Sequence, residues 1–348
     1  MSQLLTAQSL SRLRGANNEG VLALVLVALV IAMSAINPDF FSLPILFAIL
    51  RSAIVPLVLA LGVLIVIISG GIDVSFPAIA TFAAYGVVHL SLTSGMDPGL
   101  AVMLVGALVI GAGLGAINGF LIATFRLPTL IVTLGTQGIF RGALLTFVGT
   151  RFIADLPESF ASLSTANIID TETASGQAYL HVLVVPALAL CVAVAWMLRS
   201  TMFGRSIYAI GGDSEAARRA GVKVVRTQVW MYTLVGMLAA IGGLMYVAMG
   251  RSASPQDLVG TELDIIAAVV LGGASIFGGR GSVLGTFLGV LLIQVINNSL
   301  ILVGVPSAWQ RAVVGVLLVI GVAIQVSSAR SRKRKPAAIV QEEEVTHA

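Results

Sequence analysis

The sequence predicts an all-α, polytopic integral membrane protein with about ten transmembrane helices. Of its 348 residues, 57% are hydrophobic and only 10% are charged. A soluble domain of this length needs far more polar residues to cover its surface. The apolar residues also occur in long blocks, each about as long as the ~20 residues that a helix needs to cross a bilayer. The length of the chain suits one domain with many such spans.

We predict that residues 21–327 form this single transmembrane domain. The approximate spans are 21–36, 52–69, 76–92, 100–124, 129–149, 179–198, 228–249, 264–277, 282–300 and 310–327. The eighth is rich in glycine and too short for a straight crossing, so we expect a broken helix there. The polar segment 1–20 and the block after it could form a signal peptide. We favour an uncleaved first span, because no convincing cleavage site follows the block.

The positive charges predict how the spans are oriented. If residues 1–20 are cytoplasmic and the spans alternate, most Lys and Arg residues lie on the inside, as the positive-inside rule requires. The exceptions are Arg51, Arg151, Arg251 and Arg311 on the outside and Arg141 within a span. The tail 328–348 is then cytoplasmic and, being charged and without an apolar period, disordered. Its basic cluster either contacts anionic lipid headgroups or only fixes the topology.

A weak internal repeat predicts an inverted architecture. The segment INGFLIATFRLPT (117–129) resembles INNSLILVGVPSA (296–308), so that Asn118 aligns with Asn297. The two copies are five spans apart, and an odd offset gives them opposite orientations. Inverted repeats are frequent in transporters, where the transport route lies between the repeats. Asn118 and Asn297 are therefore candidate residues of a translocation pathway.

The inside loop 199–227 contains a segment, GGDSEAARRAGV, with the signals of a short capped helix. Asp213 or Ser214 can cap its N-terminus, and Gly221 fits the left-handed position after its end. Acidic residues favour the first turn of a helix and basic residues the last turn. A helix of this length is marginal alone and needs a partner surface. The segment is either a docking knob for a cytoplasmic protein or an ordinary interfacial connector.

Two other segments place polar groups within the apolar body. The break SGGIDVSFPAIA (69–80) exposes backbone groups that lipid cannot satisfy, so it must face protein or water. Its Asp73 is either a functional acid of the translocation pathway or a capping and pairing residue. In the fifth span, Thr133, Gln137 and Arg141 are spaced by four residues and share one face. That face lines either a wet route or a hydrogen-bonded helix contact.

Nothing in the chain predicts nucleotide chemistry. The glycine-rich run LGGASIFGGRGSVLG (271–285) lacks the G-x-x-x-x-G-K-[ST] pattern of a phosphate loop, as does the rest of the chain. We predict that it forms a tight inner turn with close helix packing. With three His and one Cys, a structural zinc site is not expected. We expect no metal, no cofactor and no nucleic-acid partner.

Three segments together resemble a known family. They are SGGIDVSFPAIA, INGFLIATFRLPTLIVTLGTQGIFRG (117–142) and GGDSEAARRAGVKVVRTQVWMYTLVGMLAAIGGLM (211–245). They are similar to the ribose/xylose-type sugar permeases of bacterial ABC importers, relatives of the branched-chain amino acid permeases. The similarity extends over about 21–327. The sugar members commonly have GGIDLSVG after the second span, whereas this chain has Phe76 and Pro77 in place of Val-Gly.

The resemblance implies a transport subunit of the bacterial inner membrane rather than an enzyme. It implies two cytoplasmic ABC ATPase subunits, a periplasmic sugar-binding protein, and a second permease copy or a sister permease. It also implies a coupling helix that inserts into the ATPase. On this sequence that helix comprises Asp213, Ser214, Glu215, Ala216, Ala217, Arg218 and Gly221. A secondary transporter remains the alternative mechanism. A sugar, a polyol, an autoinducer-like sugar or a branched-chain amino acid remains a possible cargo.

Overall fold

The computed structural model describes residues 19–173, 175–306, 309–310, 312–317, 319 and 323. Residues 1–18, half of the predicted tenth span and the tail 328–348 lie outside them. The helices are α1 Glu19–Ile36, α2 Leu43–Ile68, α3 Phe76–Ser94, α4 Leu100–Phe125, α5 Thr129–Ala143, α6 Glu158–Ser164, α7 Val184–Ser200, α8 Met202–Gly212, α9 Ser214–Arg219, α10 Val224–Gly250, α11 Glu262–Leu271 and α12 Val283–Leu302. A 3₁₀ turn (Pro38–Phe41), a π-helical turn (Leu144–Val148) and the strands β1 (Asn167–Thr173) and β2 (Gly176–His181) complete the elements.

Seven of the described helices are long and apolar enough to cross a membrane: α1 to α5, α10 and α12, with α5 extended by its π-helical turn. The pair α7 and α8 is bent by 72° and makes an eighth if it is counted as one span. The chain is therefore a polytopic helical membrane protein, as predicted. Following the charge distribution, we call the side that carries the segment 199–227 the inner side and the opposite side the outer side.

Helix α2 lies at the centre of the bundle, and most of its side chains are buried. Its neighbour α10 approaches it at glycines. Gly242 of α10 packs against Leu59, whereas Gly62 of α2 packs against Val235. The order of these contacts makes α10 antiparallel to α2. Because α2 contacts helices on all sides, it is apolar over its whole circumference from Ala53 to Ile68.

Helix α12 is also antiparallel to α2. The Asn298 side chain of α12 donates a hydrogen bond to the Ser52 hydroxyl, at 3.3 Å, near the start of α2. At the other end of α2, Ile68 packs against Gly281, just before α12 begins. These two contacts hold α12 along nearly the full length of α2.

Helices α4 and α10 touch through their backbones. A Cβ at Gly111 would overlap the carbonyl oxygen of Gly236, and a Cβ at Gly119 would lie 2.8 Å from the Cα of Val229. Only glycine permits this approach. The contacts make α4 antiparallel to α10, and α4 therefore runs opposite to α12. The opposite orientation predicted for the two repeat copies is confirmed.

The predicted eighth span is a broken element, as expected. Helix α11 ends at Leu271 after 10 residues, and a turn leads directly into α12. Here Gly272 and Gly285 lie so close that a Cβ on either would overlap the carbonyl oxygen of the other. Gly289 makes a similar contact with the backbone of Ala268. The glycine-rich run is thus a tight turn with close helix packing, in agreement with the prediction.

Some details differ from the sequence prediction. The outer segment before α7 folds into an antiparallel hairpin, β1–β2, in which Glu172 pairs with Gln177. The sixth predicted span therefore begins at Val184 rather than at 179, because the first residues assigned to it belong to β2. Helix α2 begins at Leu43, with a proline in its first turn. Arg51 consequently lies inside a helix, not in an outer loop.

Candidate functional site

A short helix on the inner side, residues 213–221, has the capped geometry that the sequence predicts, and we call it the knob. The Asp213 carboxylate accepts hydrogen bonds from the backbone N–H groups of Glu215, at 2.9 Å, and Ala216, at 3.0 Å. Asp213, rather than Ser214, is therefore the cap. The hydrogen bonds from Ala216 and Glu215 hold the pKa of Asp213 below its ordinary value, because they favour the charged carboxylate.

The knob exposes a small, charged surface. Glu215 forms an exposed ion pair with Arg218, one helical turn later. Ala216 is exposed, whereas Ala217 is buried against the body of the protein. Gly221 ends the knob with a φ of 89°, in the left-handed region that glycine adopts without strain. The face of the knob that points away from the bundle is therefore open to a partner, and Ala217 packs the knob against the bundle.

The knob is attached to the bundle at a point where three connections between helices meet. It follows α8 directly, and the last turn of α8 contains Gly211, whose Cα leaves no room for a Cβ beside the carbonyl oxygen of Ile68. Gly279 of the α11–α12 turn donates a 2.8 Å backbone hydrogen bond to that same oxygen. Gly278 of the same turn lies against Gly70, which follows α2. The ends of α2, α8 and α11–α12 thus form one backbone junction beneath the knob.

An open cleft of about 670 Å³ lies beside this junction. The knob, the α2–α3 break, and the ends of α4 and α10 form its walls. Its polar lining includes Ser69, Arg126, Thr129, Asp213, Ser214, Glu215, Arg218, Gln228 and Tyr232. The cleft therefore combines the knob with the break that contains Asp73.

Asp73 belongs to a buried polar network. Its carboxylate accepts hydrogen bonds from the backbone N–H of Ser75, at 2.7 Å, and from the Ser75 hydroxyl, at 2.6 Å. The Asn118 amide donates to the same hydroxyl at 2.7 Å. Thr133 accepts from the backbone N–H of Val74 at 3.3 Å. The network ties the α2–α3 break to α4 and α5, as the pairing interpretation of Asp73 predicts.

The α2–α3 break also accommodates Phe76 and Pro77, which replace the Val-Gly of the GGIDLSVG pattern common in the sugar permeases. Phe76 and Pro77 are the first two residues of α3. Proline is well suited to the first turn of a helix, where its missing N–H has no partner in any case. Phe76 is fully buried in the core. The Phe-Pro pair therefore starts α3 without distorting it.

The polar stripe of α5 contacts other helices. Thr133 bonds to the break, and the Gln137 amide donates a 2.6 Å hydrogen bond to the Glu262 carboxylate at the start of α11. A buried guanidinium nitrogen of Arg141 has no hydrogen-bond partner among the described residues. These contacts form an interhelical seam. A role of Thr133, Gln137 and Arg141 in the translocation pathway remains a prediction.

Asn297 lies in a different environment from Asn118, its repeat counterpart. It lines a cavity of about 390 Å³ between α2, α10, α11 and α12, in the outer half of the bundle. Asn118 is fully buried in the Asp73 network. The other polar lining residues were not predicted from the sequence; they are Arg51, Ser52, Tyr246, Thr261, Asp264 and Gln294. Two features of the sequence could have indicated these residues: an arginine early in a long apolar block, and acids at the start of a broken helix.

The outer hairpin reaches this cavity. The Tyr179 hydroxyl of β2 accepts a hydrogen bond from the Arg51 guanidinium, which also lies over the Tyr179 ring, 4.4 Å from its centroid. A second space of about 590 Å³ lies on the hairpin side of this pair. Arg51 and Met249 line both spaces, so the two adjoin there.

A model of a transport family matches most of the chain. It is described as "Branched-chain amino acid transport system / permease component" and matches residues 45–322. The chain belongs to this permease family. Members of the family are membrane-embedded transport components, so this chain is a multi-pass permease subunit of a bacterial ABC importer and not an enzyme. Membership implies an ATPase and a substrate-binding protein as partners, and it disfavours the secondary-transporter alternative.

Relatives in three organisms have similar sequences, and each is named "Autoinducer 2 import system permease protein LsrC". The relative from Klebsiella pneumoniae subsp. pneumoniae is 39% identical and that from Enterobacter sp. (strain 638) is 37% identical. The relative from Yersinia pseudotuberculosis is 33% identical. These alignments cover 84%, 87% and 87% of this permease, respectively, and 82%, 84% and 83% of the relatives.

A solved structure has the same fold. It is described as an inward-facing conformation of a metal-chelate type ABC transporter, with a TM-score of 0.51 and 19% sequence identity. The match covers 88% of this permease and 98% of that chain. Among the residues described here, no group of three or more His, Cys, Asp or Glu is placed to hold a metal ion.

Proposed function

We propose that this permease forms the membrane passage of an ATP-driven importer for a small sugar-like molecule, with autoinducer 2 as the first candidate cargo. The names of the relatives support this choice, since they describe autoinducer 2 import over most of the same length. A periplasmic binding protein delivers the cargo on the outer side. A second copy, or a sister permease, completes the assembly, and both termini are cytoplasmic.

The observation that carries the proposal is the attachment of the knob. A six-residue helix with an exposed charged face stands on a junction where α2, α8 and the α11–α12 turn meet backbone to backbone. Close-packed backbones transmit displacement, because no side chain between them can rearrange to absorb it. A push on the knob by the ATPase therefore moves the ends of several spans together.

The coupling residues are Asp213, Ser214, Glu215, Ala216, Ala217, Arg218 and Gly221. Within this set, Asp213 and Gly221 shape the knob, Ala217 anchors it, and Glu215, Ala216 and Arg218 face the partner. This division of roles follows from their exposure and hydrogen bonds. A surface made of small residues and one ion pair fits a shallow groove in the ATPase.

The direct test reverses one charge on this face. We expect Glu215→Arg to reduce ATP-driven uptake in proteoliposomes about tenfold or more, while basal ATP hydrolysis by the assembled importer continues. Glu158→Arg is the matched control, because Glu158 is an exposed acid in the first turn of a short helix on the outer side. Wild-type uptake by Glu215→Arg, or labelling of the knob only from the outside, would contradict the proposal.

A further inference from the structure

The carboxyl group of Asp73 is sealed inside the protein, in the break between α2 and α3. Only 1% of the residue is exposed. Its two hydrogen bonds, from the backbone N–H and the hydroxyl of Ser75, both end on one oxygen, Oδ1. No described residue donates to the other oxygen, Oδ2. Burial of an ionised carboxylate is very costly unless the charge is paired and hydrogen-bonded. Half of this carboxyl group therefore lacks the contacts that an anion requires.

The network around Asp73 contains more acceptors than donors. The Asn118 amide donates to the Ser75 hydroxyl, and that hydroxyl donates to Asp73. The side-chain oxygen of Asn118 is buried and, like Oδ2 of Asp73, receives no hydrogen bond from the described part of the chain. Neither oxygen has room beside it for a water molecule. A metal ion is excluded by the same lack of space, whereas a proton on a carboxyl oxygen needs no cavity.

The elements that meet at the break bring no compensating cation. The side chains that α4, α5 and α10 place there are Asn118, Thr133 and the phenol Tyr232, none of which is positively charged. Charged residues of the neighbouring elements line the inner cleft or lie in the α11–α12 turn; they are Arg126, Asp213, Glu215, Arg218 and Arg280. Among the described residues, none of these pairs with Asp73, and Glu215 with Arg218 forms the ion pair.

A second aspartate has the same kind of donors in a different environment. Asp97, on the outer side, accepts hydrogen bonds from the backbone N–H and the hydroxyl of Ser159, both at 2.8 Å. Asp97 is exposed, and these bonds hold its pKa below the ordinary value. At Asp73, burial raises the pKa despite the two bonds from Ser75. Burial therefore decides the difference between the two carboxyl groups.

We propose that the packed α2–α3 break binds one proton, on Oδ2 of Asp73, and releases it to cytoplasmic water when the break opens toward the inner cleft. The O–H bond is the only bond that forms and breaks. Gly70 of the break lies against Gly278 and Gly211 in the junction beneath the knob, so a displacement of the knob reaches the break. The proton site is independent of the cargo, whereas its link to transport rests on the proposed coupling through the knob.

The proposal fixes the direction of a pH effect. The packed break holds a proton that an open break, with a solvated carboxyl group, loses at neutral pH. Packing is fully favoured below the ordinary carboxyl pKa and is lost progressively as the pH rises toward the raised pKa of Asp73. Release of one proton enlarges the equilibrium constant for opening by about tenfold per pH unit in this interval.

Infrared spectroscopy of the full-length permease in lipid nanodiscs detects the proton directly. At neutral pH we expect the wild type to show the carbonyl band of a protonated carboxylic acid. Asp73→Asn should lose this contribution, and the matched control Asp97→Asn should retain it. The Asp73→Asn variant keeps an acceptor for Ser75, and its helical circular dichroism verifies that it folds. An identical carbonyl band in the wild type and Asp73→Asn would overturn the inference.

Hydrogen exchange at the Val74 and Ser75 amides, corrected for the intrinsic rate, measures opening of the break against pH. Opening of the wild type should increase about tenfold per pH unit above the ordinary carboxyl pKa. Asp73→Asn should match the wild type at the acidic end of the range and show no such increase. Equal pH dependence in the two proteins would also overturn the inference. Neither measurement uses the ATPase or a cargo, so a failure of the proposed import function would leave both results unchanged.

Discussion

Gly211, at the junction beneath the knob, offers the sharpest test of the packing. A Cβ at this position would overlap the carbonyl oxygen of Ile68 and lie 2.8 Å from the amide nitrogen of Gly279. Those two backbone groups are hydrogen-bonded to each other at 2.8 Å. The Gly211→Ala variant must therefore push backbone segments apart, since neither neighbour is a side chain that can rotate away.

The cost follows from two terms. Overpacking of a tight site costs about 1–3 kcal/mol, and breaking the hydrogen bond between Ile68 and Gly279 costs about 1–3 kcal/mol more if its groups remain buried. We expect a loss of roughly 2–6 kcal/mol in the free energy of unfolding. Gly212→Ala is the control, because a Cβ at Gly212 has no neighbour within 4 Å. It should be neutral or stabilising by up to ~1 kcal/mol, since alanine favours helix.

The assay is reversible unfolding of both variants in mixed micelles, followed by the loss of helical circular dichroism. ATP-driven uptake is measured on the same preparations, and we expect Gly211→Ala to lose it while Gly212→Ala retains it. A difference of less than about 0.5 kcal/mol between the two variants is the size of an ordinary surface effect. That result would refute the claim that the junction is packed backbone to backbone.

Four further variants test single contacts. Asp213→Ala should accelerate hydrogen exchange at the knob amides, because the cap is lost. In the wild type the cap is fully formed above the ordinary carboxyl pKa and is lost as the pH falls through the lowered pKa of Asp213. Measuring the exchange rates against pH, corrected for the intrinsic rate of exchange, would reveal this loss. At a pH near the ordinary carboxyl pKa, Asp73→Asn should be nearly neutral because it still accepts from Ser75, whereas Asp73→Leu should cost about 2–4 kcal/mol in an unfolding titration, since two buried donors lose their acceptor. Tyr179→Phe keeps the ring over Arg51 but deletes the hydroxyl, so its unfolding free energy should fall by about 0.5–1.5 kcal/mol.

The features that sequence predicts well are those decided by neighbouring residues. The spans follow from long apolar blocks, and the knob follows from Asp213 and Gly221, whose capping roles require only a few adjacent residues. The broken span at α11 follows from its glycines and short length. In each case the physical cause lies within one segment, so no knowledge of the fold is needed.

The features that sequence predicts poorly depend on distant residues. The cavity brings Arg51 together with Asn297, and no local pattern links positions so far apart in the chain. The hairpin was missed because β1 is largely exposed and lacks the alternation of apolar and polar residues that marks a half-buried strand. The repeat paired Asn118 with Asn297 correctly in orientation, yet packing gave them different surroundings.

The glycine contact between α4 and α10 limits how this permease can move. Where Gly111 meets Gly236, main chain rests on main chain, and sliding one helix along the other would drive carbonyl groups into each other. These two helices consequently behave as a single strut. Any change between inward and outward access has to occur around that strut rather than within it.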